Sequence, residues 1–276
     1  MRRTTVPPVP ESARSMFAPI AKALRHPLRT WRWLHPYDYQ SQGLSSLPTI
    51  LDTYFPTVQH GRSHNFLVPH RSRADRRFPA VGWVTWDEAT LLFNYGQMLV
   101  GKPLLEIGCW VGWSTVALGL SGVRLTVVDP VLAGQPQGDT CREAVRRVQL
   151  SQNVTFIPGF SPPAVQKLTR QGARWSGFFI DGDHDGEGPL ADVKECAAAA
   201  EQDALILMHD LAQANIADAL SWLQQAGWST GVHHTLQFIG VAWRGAVRPL
   251  THNPDPNVPW SQVLMAYPHL ARFQRL

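Results

Sequence analysis

Cysteine is scarce in this sequence. The 276 residues include three cysteines, Cys109, Cys141 and Cys196, which lie far apart along the chain. This number and spacing exclude a disulfide framework, and no two cysteines are close enough to form a zinc knuckle. Proteins without disulfides are typical of reducing compartments, so we predict a cytoplasmic location.

Long apolar runs are also lacking. No stretch approaches the ~20 apolar residues that a transmembrane helix needs, so we predict no contact with a membrane. Residues 6–10 read Val-Pro-Pro-Val-Pro, and these prolines interrupt the apolar run that a signal peptide would require.

Charge of one sign is only slightly in excess, with a formal net charge of +4. The basic residues are concentrated before residue 80, and a run of this kind is usually a solvated face. Because no recognisable nucleic-acid-binding motif accompanies it, we do not expect nucleic acid as a partner.

The composition divides the chain into three parts. Residues 1–80 are rich in proline, arginine, tryptophan and histidine, and we predict an extension that caps the core and builds a homodimer. Residues 81–245 contain regular apolar patterns and form the predicted core domain. Residues 246–276 contain several prolines, and we predict an irregular tail packed on the outside of that domain.

The core domain alternates strand and helix patterns. A capping box, Thr85 to Glu88, precedes the first helix, and apolar runs predict seven strands, at 103–107, 123–128, 153–157, 175–180, 203–208, 228–233 and 236–243. The last two strands are too close in sequence for a crossover, so they must be antiparallel. The turn between them contains His233 and His234, which we expect at the surface. We therefore predict an α/β, Rossmann-like, seven-stranded sheet that is mostly parallel, with an antiparallel C-terminal hairpin and helices on both faces.

The first strand runs into a glycine turn. Glu106, Gly108 and Gly112 have the spacing Glu-x-Gly-x-x-x-Gly, and the turn precedes a predicted helix that contains Ser114. A strand that enters a helix through glycines leaves free backbone N–H groups, which are a binding site for a ligand. Trp110 crowds the turn and the Glu106 carboxylate would repel a pyrophosphate, so the spacing does not favour a dinucleotide.

This stretch resembles the first motif of the class I S-adenosylmethionine (SAM) methyltransferases. The resemblance implies that SAM is the cofactor and that it contacts Glu106, Gly108, Trp110, Gly112 and Ser114. In that family the acidic residue lies near the methionine end of the cofactor, and the glycines line it.

A further acid, Asp129, ends the second predicted strand. An acid at this position of a βαβ unit is placed to accept hydrogen bonds from ribose hydroxyls. The alternative is a simple turn residue, because Asp129 precedes Pro130.

Polar residues also follow two later strands. Asp181 comes directly after a buried apolar run with His184 close behind, and the next strand ends in His209 and Asp210. Neighbouring strand tips lie about 5 Å apart, and ligands of open α/β sheets bind at these ends. Carboxylates so close repel each other unless a proton or a cation lies between them. A divalent metal there could acidify a substrate hydroxyl, and a nearby histidine could remove the proton.

The sequence Ile-Asp-Gly-Asp-His resembles a narrower group, which includes the cephalosporin-type and macrolide sugar O-methyltransferases. The resemblance implies that Asp181, His209 and Asp210 bind a metal, that His184 is the base, and that Asp181 also contacts the cofactor. In the metal-dependent members of this group, a glutamate occupies the position of His209. A nitrogen ligand suits manganese, iron or zinc better than Mg²⁺, and a site without any metal stays open.

The segment 153–161 resembles a fourth motif of the same family, in which Phe160 and Ser161 would flank the adenine of the cofactor. Ser161 is also a candidate N-cap, with Pro162 as the first helical residue.

Taken together, the resemblances imply a SAM-dependent methyltransferase, which we expect to methylate a hydroxyl group of a small-molecule acceptor in specialised metabolism. Two alternatives stay open. The fold can catalyse a non-methylating step such as a cyclisation, or it can serve as a non-catalytic binding or scaffold protein.

Overall fold

The computed structural model describes residues 43–48, 84–235, 237–254 and 258–276. Most of the predicted N-terminal extension, its boundary near residue 80 and its dimer contacts lie outside these residues, so these expectations stay predictions. None of the helices in the described residues combines the length and the apolar character that crossing a membrane would require.

Seven α-helices and eight strands make up the regular structure of the described residues. The helices are α1 (Trp86–Met98), α2 (Trp113–Leu120), α3 (Pro136–Arg147), α4 (Pro163–Arg170), α5 (Gly188–Ala199), α6 (Ala214–Gln225) and α7 (Trp260–Met265). The strands are β1 (Pro103–Ile107), β2 (Arg124–Asp129), β3 (Val154–Pro158), β4 (Trp175–Ile180), β5 (Ala200–Met208), β6 (Ser229–His233), β7 (Ile239–Arg244) and β8 (Gln274–Arg275).

The strands form one mixed sheet with the order β3-β2-β1-β4-β5-β7-β6-β8. Strands β1 to β5 are parallel, and β7 lies antiparallel between β5 and β6, which confirms the predicted Rossmann-like fold and its hairpin. The predicted number of seven strands is wrong, because β8 pairs in parallel with β6 at the sheet edge. A strand of two residues is too short to show an apolar alternation, so the sequence carries no signal for it.

The tail is therefore more regular than predicted. It contains α7, a short 3₁₀ helix at Pro268–Arg272 and strand β8. The expectation for His233 is also wrong, because its side chain is fully buried and its Nε2 lies 2.7 Å from the Tyr95 hydroxyl.

Helices cover both faces of the sheet. Leu104 packs with α1, α2 and α3 on one face, whereas Leu105 and Ile107 pack with α4, α5 and α6 on the other. Alternate residues of a strand point to opposite faces, and a parallel sheet needs apolar cover on both. The Thr85–Glu88 capping box that starts α1 is present as predicted.

The tips of four strands meet at one edge of the sheet. The N–H of Gly108 donates to the Val128 carbonyl at 3.0 Å, and the N–H of Asp181 donates to the Ile107 carbonyl at 2.8 Å. The chain reverses its strand order between β1 and β4, which is where open α/β sheets bind their ligands.

Candidate active site

The turn after β1 requires glycine at two positions. Gly108 has φ +85°, and a Cβ placed there would overlap the backbone carbonyl of Asp181. Gly112 is the N-cap of α2 with φ +93°, and its Cβ would lie 2.8 Å from the Cys141 sulfur. The two glycines therefore let the turn pack directly against the tip of β4 and against α3.

Glu106 lies within β1 and is fully buried. The Ser114 hydroxyl donates to its Oε1 at 2.5 Å, while Oε2 has no hydrogen-bond partner among the described residues. Burial raises the pKa of Glu106 to about 8, and the charges of Asp181 and Asp129 add to the increase. Ser114 lines the cavity described below and Glu106 does not, so Glu106 lies behind Ser114 as seen from the cavity.

Asp129 holds the turn in place. Its Oδ2 accepts the N–H groups of Cys109 at 2.7 Å and of Trp110 at 3.1 Å, and its Oδ1 accepts the N–H of Val131 at 2.8 Å. These contacts support the alternative role as a turn residue. A carboxylate can accept about four hydrogen bonds, and Asp129 also lines the cavity, so a contact with a ligand hydroxyl remains compatible with them.

A cavity of about 560 Å³ opens at this edge of the sheet. Several predicted cofactor residues line it: Gly108, Trp110, Ser114, Asp129, Phe160, Ser161 and Asp181. Two of them present aromatic rings to solvent, since Trp110 is 50% and Phe160 is 72% exposed.

The alternative role of Ser161 as a helix cap is wrong. Pro162 is the N-cap of α4 and Pro163 is its first residue. The Ser161 hydroxyl instead lines the cavity close to Asp192, where burial raises the pKa of the carboxyl and this hydroxyl lowers it.

Asp181, His184 and Asp210 meet at the tips of β4 and β5. The Nε2 atom of His184 lies 3.5 Å from Asp181 Oδ1 and 3.6 Å from Asp210 Oδ2, and its Nδ1 lies 3.1 Å from the Gln213 amide nitrogen. The attraction of Asp181 raises the pKa of His184 against the effect of burial. One ligand atom from each of the three residues falls within 4.8 Å of the others, a spacing that could hold a metal ion.

His209 lies just beneath this group and is almost fully buried. Its Nδ1 is 3.3 Å from Asp181 Oδ1 and 3.4 Å from Asp210 Oδ2, and its Nε2 is 3.4 Å from Glu88 Oε2. Burial alone would lower the pKa of His209, but Asp181 and Glu88 raise it well above its usual value. Burial alone would likewise raise the pKa of Asp181, yet the two histidines lower it to about 2.

Two residues near the site, Glu88 and Asp192, could not be identified from the sequence. Glu88 was accounted for by the capping box alone, so nothing in its local sequence signalled the contact with His209. Asp192, on α5, is a buried carboxylate that lines the cavity, but a single polar residue in an amphipathic helix has no distinctive pattern.

The comparisons with known proteins concern the sequence and the fold of the core domain. Residues 105–211 match the sequence model of a family described as a methyltransferase domain. No curated protein matches the chain significantly.

Solved structures share the fold at low sequence identity. An O-methyltransferase from Bacillus cereus in complex with SAH is 17% identical over 57% of this chain and 80% of that chain, with a TM-score of 0.51. The O-methyltransferase TomG from Streptomyces achromogenes, involved in tomaymycin synthesis and solved with SAM, is 15% identical over 60% and 83%, with a TM-score of 0.49. Residues 105–211 are therefore similar to a methyltransferase domain, and the structure shares the class I methyltransferase fold, in agreement with the resemblance inferred from the motifs.

Proposed function

We propose that this protein is a SAM-dependent O-methyltransferase that acts on a hydroxyl group of a small molecule in specialised metabolism. One observation carries the proposal. His184 lines the cavity, and its buried Nε2 lies 3.5 Å from Asp181 Oδ1 and 3.6 Å from Asp210 Oδ2. An acceptor hydroxyl bound in the cavity would therefore lie beside this imidazole, at the sheet edge where the glycine turn would hold the cofactor.

The residues of the cavity fit SAM. The tight turn at Gly108 leaves no side chain between the cofactor and the strand tips, and the buried Glu106 accepts the Ser114 hydroxyl and so positions this cavity residue. We assign Asp129 to the same binding site, with Trp110, Phe160 and Ser161 at its walls, while Gly112 shapes the turn without lining the cavity. When bound, SAM supplies a methyl group made electrophilic by its sulfonium.

His184 is the proposed base. In the structure the Gln213 amide nitrogen donates to Nδ1, which leaves the proton of the neutral ring on Nε2. With the Gln213 amide turned so that its oxygen accepts the Nδ1 proton, Nε2 takes the proton of the acceptor hydroxyl, and the resulting imidazolium lies between the carboxylates of Asp181 and Asp210. These carboxylates stabilise the cation that forms, so Asp181 is assigned a catalytic role. Gln213 contacts Nδ1 and holds the ring in this orientation.

A divalent metal is the second candidate for activating the acceptor. Asp181, His184 and Asp210 offer two carboxylates and one imidazole, a donor set that suits iron or manganese better than Mg²⁺. A bound metal would lower the pKa of a coordinated hydroxyl. A metal on Nε2 of His184 would prevent that atom from acting as the base, so the two candidates exclude each other. The ligand set predicted from the sequence, Asp181, His209 and Asp210, would leave His184 free to act as the base. It requires an uncharged His209 beside the carboxylates of Asp181, Asp210 and Glu88.

One experiment separates these possibilities. SAM turnover would be measured with a panel of catechols and glycosylated macrolides, before and after treatment with EDTA. Activity that resists EDTA and is lost in His184→Gln supports the base. Activity that EDTA removes and Mn²⁺ or Fe²⁺ restores supports the metal. A protein that binds S-adenosylhomocysteine and turns over no acceptor of the panel would contradict the proposed acceptor class.

Two broader expectations belong with this proposal. The cysteines of the described residues are buried and free, which supports a cytoplasmic location. A homodimer built through residues 1–80 remains a prediction.

A further inference from the structure

His184 lies on an irregular loop. Residues 181–187, between β4 and α5, form neither helix nor strand. Within this loop the N–H of Asp185 donates to Asp183 Oδ1 at 2.9 Å, and Gly186 has a φ of +53°. These features shape the loop itself, but they do not tie His184 to another element. The position of the imidazole therefore depends on contacts from outside the loop.

Asn215, in the first turn of α6, supplies such a contact. Its side-chain Nδ2 donates to the carbonyl of His184 at 2.8 Å and to the carbonyl of Gly186 at 3.4 Å. Because both partners are carbonyl oxygens, which only accept hydrogen bonds, the NH₂ end of the amide must face them. One side chain of α6 therefore holds the backbone of the loop at two points.

The same turn of α6 also contacts the ring of His184 and the backbone of Asp210. The Gln213 amide nitrogen lies 3.1 Å from His184 Nδ1, and the Gln213 backbone N–H donates to the Asp210 carbonyl at 2.9 Å. The start of α6 therefore links the loop that carries His184 to the segment that carries Asp210. The distance of 3.6 Å between His184 Nε2 and Asp210 Oδ2 depends on this link.

We propose that Asn215 is a positioning residue, which holds the loop 181–187 against α6 and so fixes the imidazole of His184 beside the carboxylate of Asp210. The inference rests on the proposed function, because it takes His184 as a group that acts on the acceptor. Asn215 itself does not line the cavity. Displacement of a reacting group by about 1 Å can lower a rate about 10²-fold. Loss of the Asn215 contact should therefore lower kcat and leave the affinity for the cofactor unchanged.

Asn215→Asp tests this contact with the least change in shape. The carboxylate cannot donate a hydrogen bond and would repel the two carbonyl oxygens. An acid in the first turn of a helix is favourable, and α6 has none there. The variant should therefore retain the melting temperature of the wild type, while its kcat falls by about 10- to 100-fold.

Two further variants separate the lost donor from the added charge. Asn215→Ala removes the donor without adding a charge, and its kcat should fall to a similar degree. Ala214→Asp is the matched control, because Ala214 is exposed and is the first residue of the same helix. It places the same charge beside the site and leaves the Asn215 amide in place, so its kcat should stay close to that of the wild type.

Three measurements are compared across these proteins. Turnover of an acceptor from the panel gives kcat, and calorimetry gives the affinity for S-adenosylhomocysteine. Hydrogen exchange of the backbone amides of residues 183–187, followed by mass spectrometry, reports on the loop without any acceptor. A lower kcat and faster exchange in both Asn215 variants, with unchanged affinity and a control that behaves like the wild type, support the inference.

The remaining outcomes count against it. An unchanged kcat in the Asn215 variants, or an equal loss in Ala214→Asp, overturns this inference and leaves the proposed function intact. A wild type that turns over no acceptor overturns the proposed acceptor class instead, and hydrogen exchange then decides the inference. Faster exchange in the Asn215 variants supports the contact between the loop and α6, and unchanged exchange overturns it.

Discussion

The carboxylate of Glu88 lies 3.4 Å from the imidazole of His209, and both side chains are fully buried. Glu88 also accepts the backbone N–H groups of Thr85 at 2.7 Å and of Gln237 at 2.8 Å. One residue therefore caps α1, fixes the segment before β7 and supports the histidine beneath Asp181 and Asp210.

Replacement of Glu88 by Gln should destabilise the fold. The change leaves His209 buried without its partner, and breaking a buried ion pair costs about 3–5 kcal/mol. Urea unfolding at pH 7 measures the decrease in the free energy of unfolding. Glu143→Gln is the control, because Glu143 forms an exposed pair with Arg146 and should matter little. A loss in Glu88→Gln no larger than in the control would contradict the buried ion pair.

The same pair predicts sensitivity to acid. Burial raises the pKa of Glu88, but His209 and the backbone donors outweigh it and lower the pKa from 4.5 to about 2. A lowered pKa stabilises the fold above pH 4.5, and this contribution is lost as the pH falls from 4.5 towards 2. The free energy of unfolding of the wild type should therefore fall more steeply over this range than that of Glu88→Gln. If the free energies of unfolding of the two proteins fall equally steeply with pH, the lowered pKa of Glu88 is wrong.

Glu106 predicts the opposite dependence on pH. Burial raises its pKa from 4.5 to about 8, so the folded state binds more protons than the unfolded state between these values. Stability from this group is present below pH 4.5 and is lost as the pH rises towards 8. Glu106→Gln cannot ionise and retains an oxygen for the Ser114 hydroxyl. Between pH 5 and pH 8.5 the free energy of unfolding should decrease less in this variant than in the wild type. An equal decrease in the two proteins would disprove the raised pKa of Glu106.

Gly108→Ala should disrupt the turn. The new Cβ would overlap the Asp181 carbonyl, and the positive φ adds a strain of about 1–2 kcal/mol. We expect a large loss of S-adenosylhomocysteine affinity and a lower melting temperature. Gly134→Ala is the matched control, because Gly134 has φ +90° and open space around it. If both variants bind the ligand equally well, the contact between the turn and β4 has no role in binding.

His184→Gln should separate chemistry from binding. Loss of a general base lowers kcat by about 10²- to 10⁴-fold, while the affinity for S-adenosylhomocysteine should change little. The pKa of His184 is raised, and a base acts in its neutral form, so wild-type kcat should rise with pH, with a midpoint above the ordinary value for histidine. A variant that retains full turnover would rule out His184 as the base.

The position of the candidate site, at the edge of the sheet where the parallel strands end, could be predicted from the sequence because these strands all end on the same side. Apolar runs followed by Asp129, Asp181 and Asp210 mark three of the tips, and the structure brings these residues to one cavity. This inference needs only the strand order of a doubly wound sheet, which the alternating pattern indicates.

Other features were not predictable because they depend on packing between distant segments. The contact between Glu88 and His209 joins the start of α1 to the end of β5, and the capping box already explained the sequence at Glu88. Asp192 has no local signal, and its exposure to the cavity depends on how α5 lies beside Ser161. His233 is the last residue of β6 and could have faced solvent, but Tyr95 and the C-terminal tail cover it.

The central claim is that the strand tips and the glycine turn form a SAM site, and calorimetry with S-adenosylhomocysteine tests it most directly. The account predicts saturable binding with one site per chain, and a marked loss of affinity in Gly108→Ala. No detectable heat at millimolar ligand in a folded protein would contradict it.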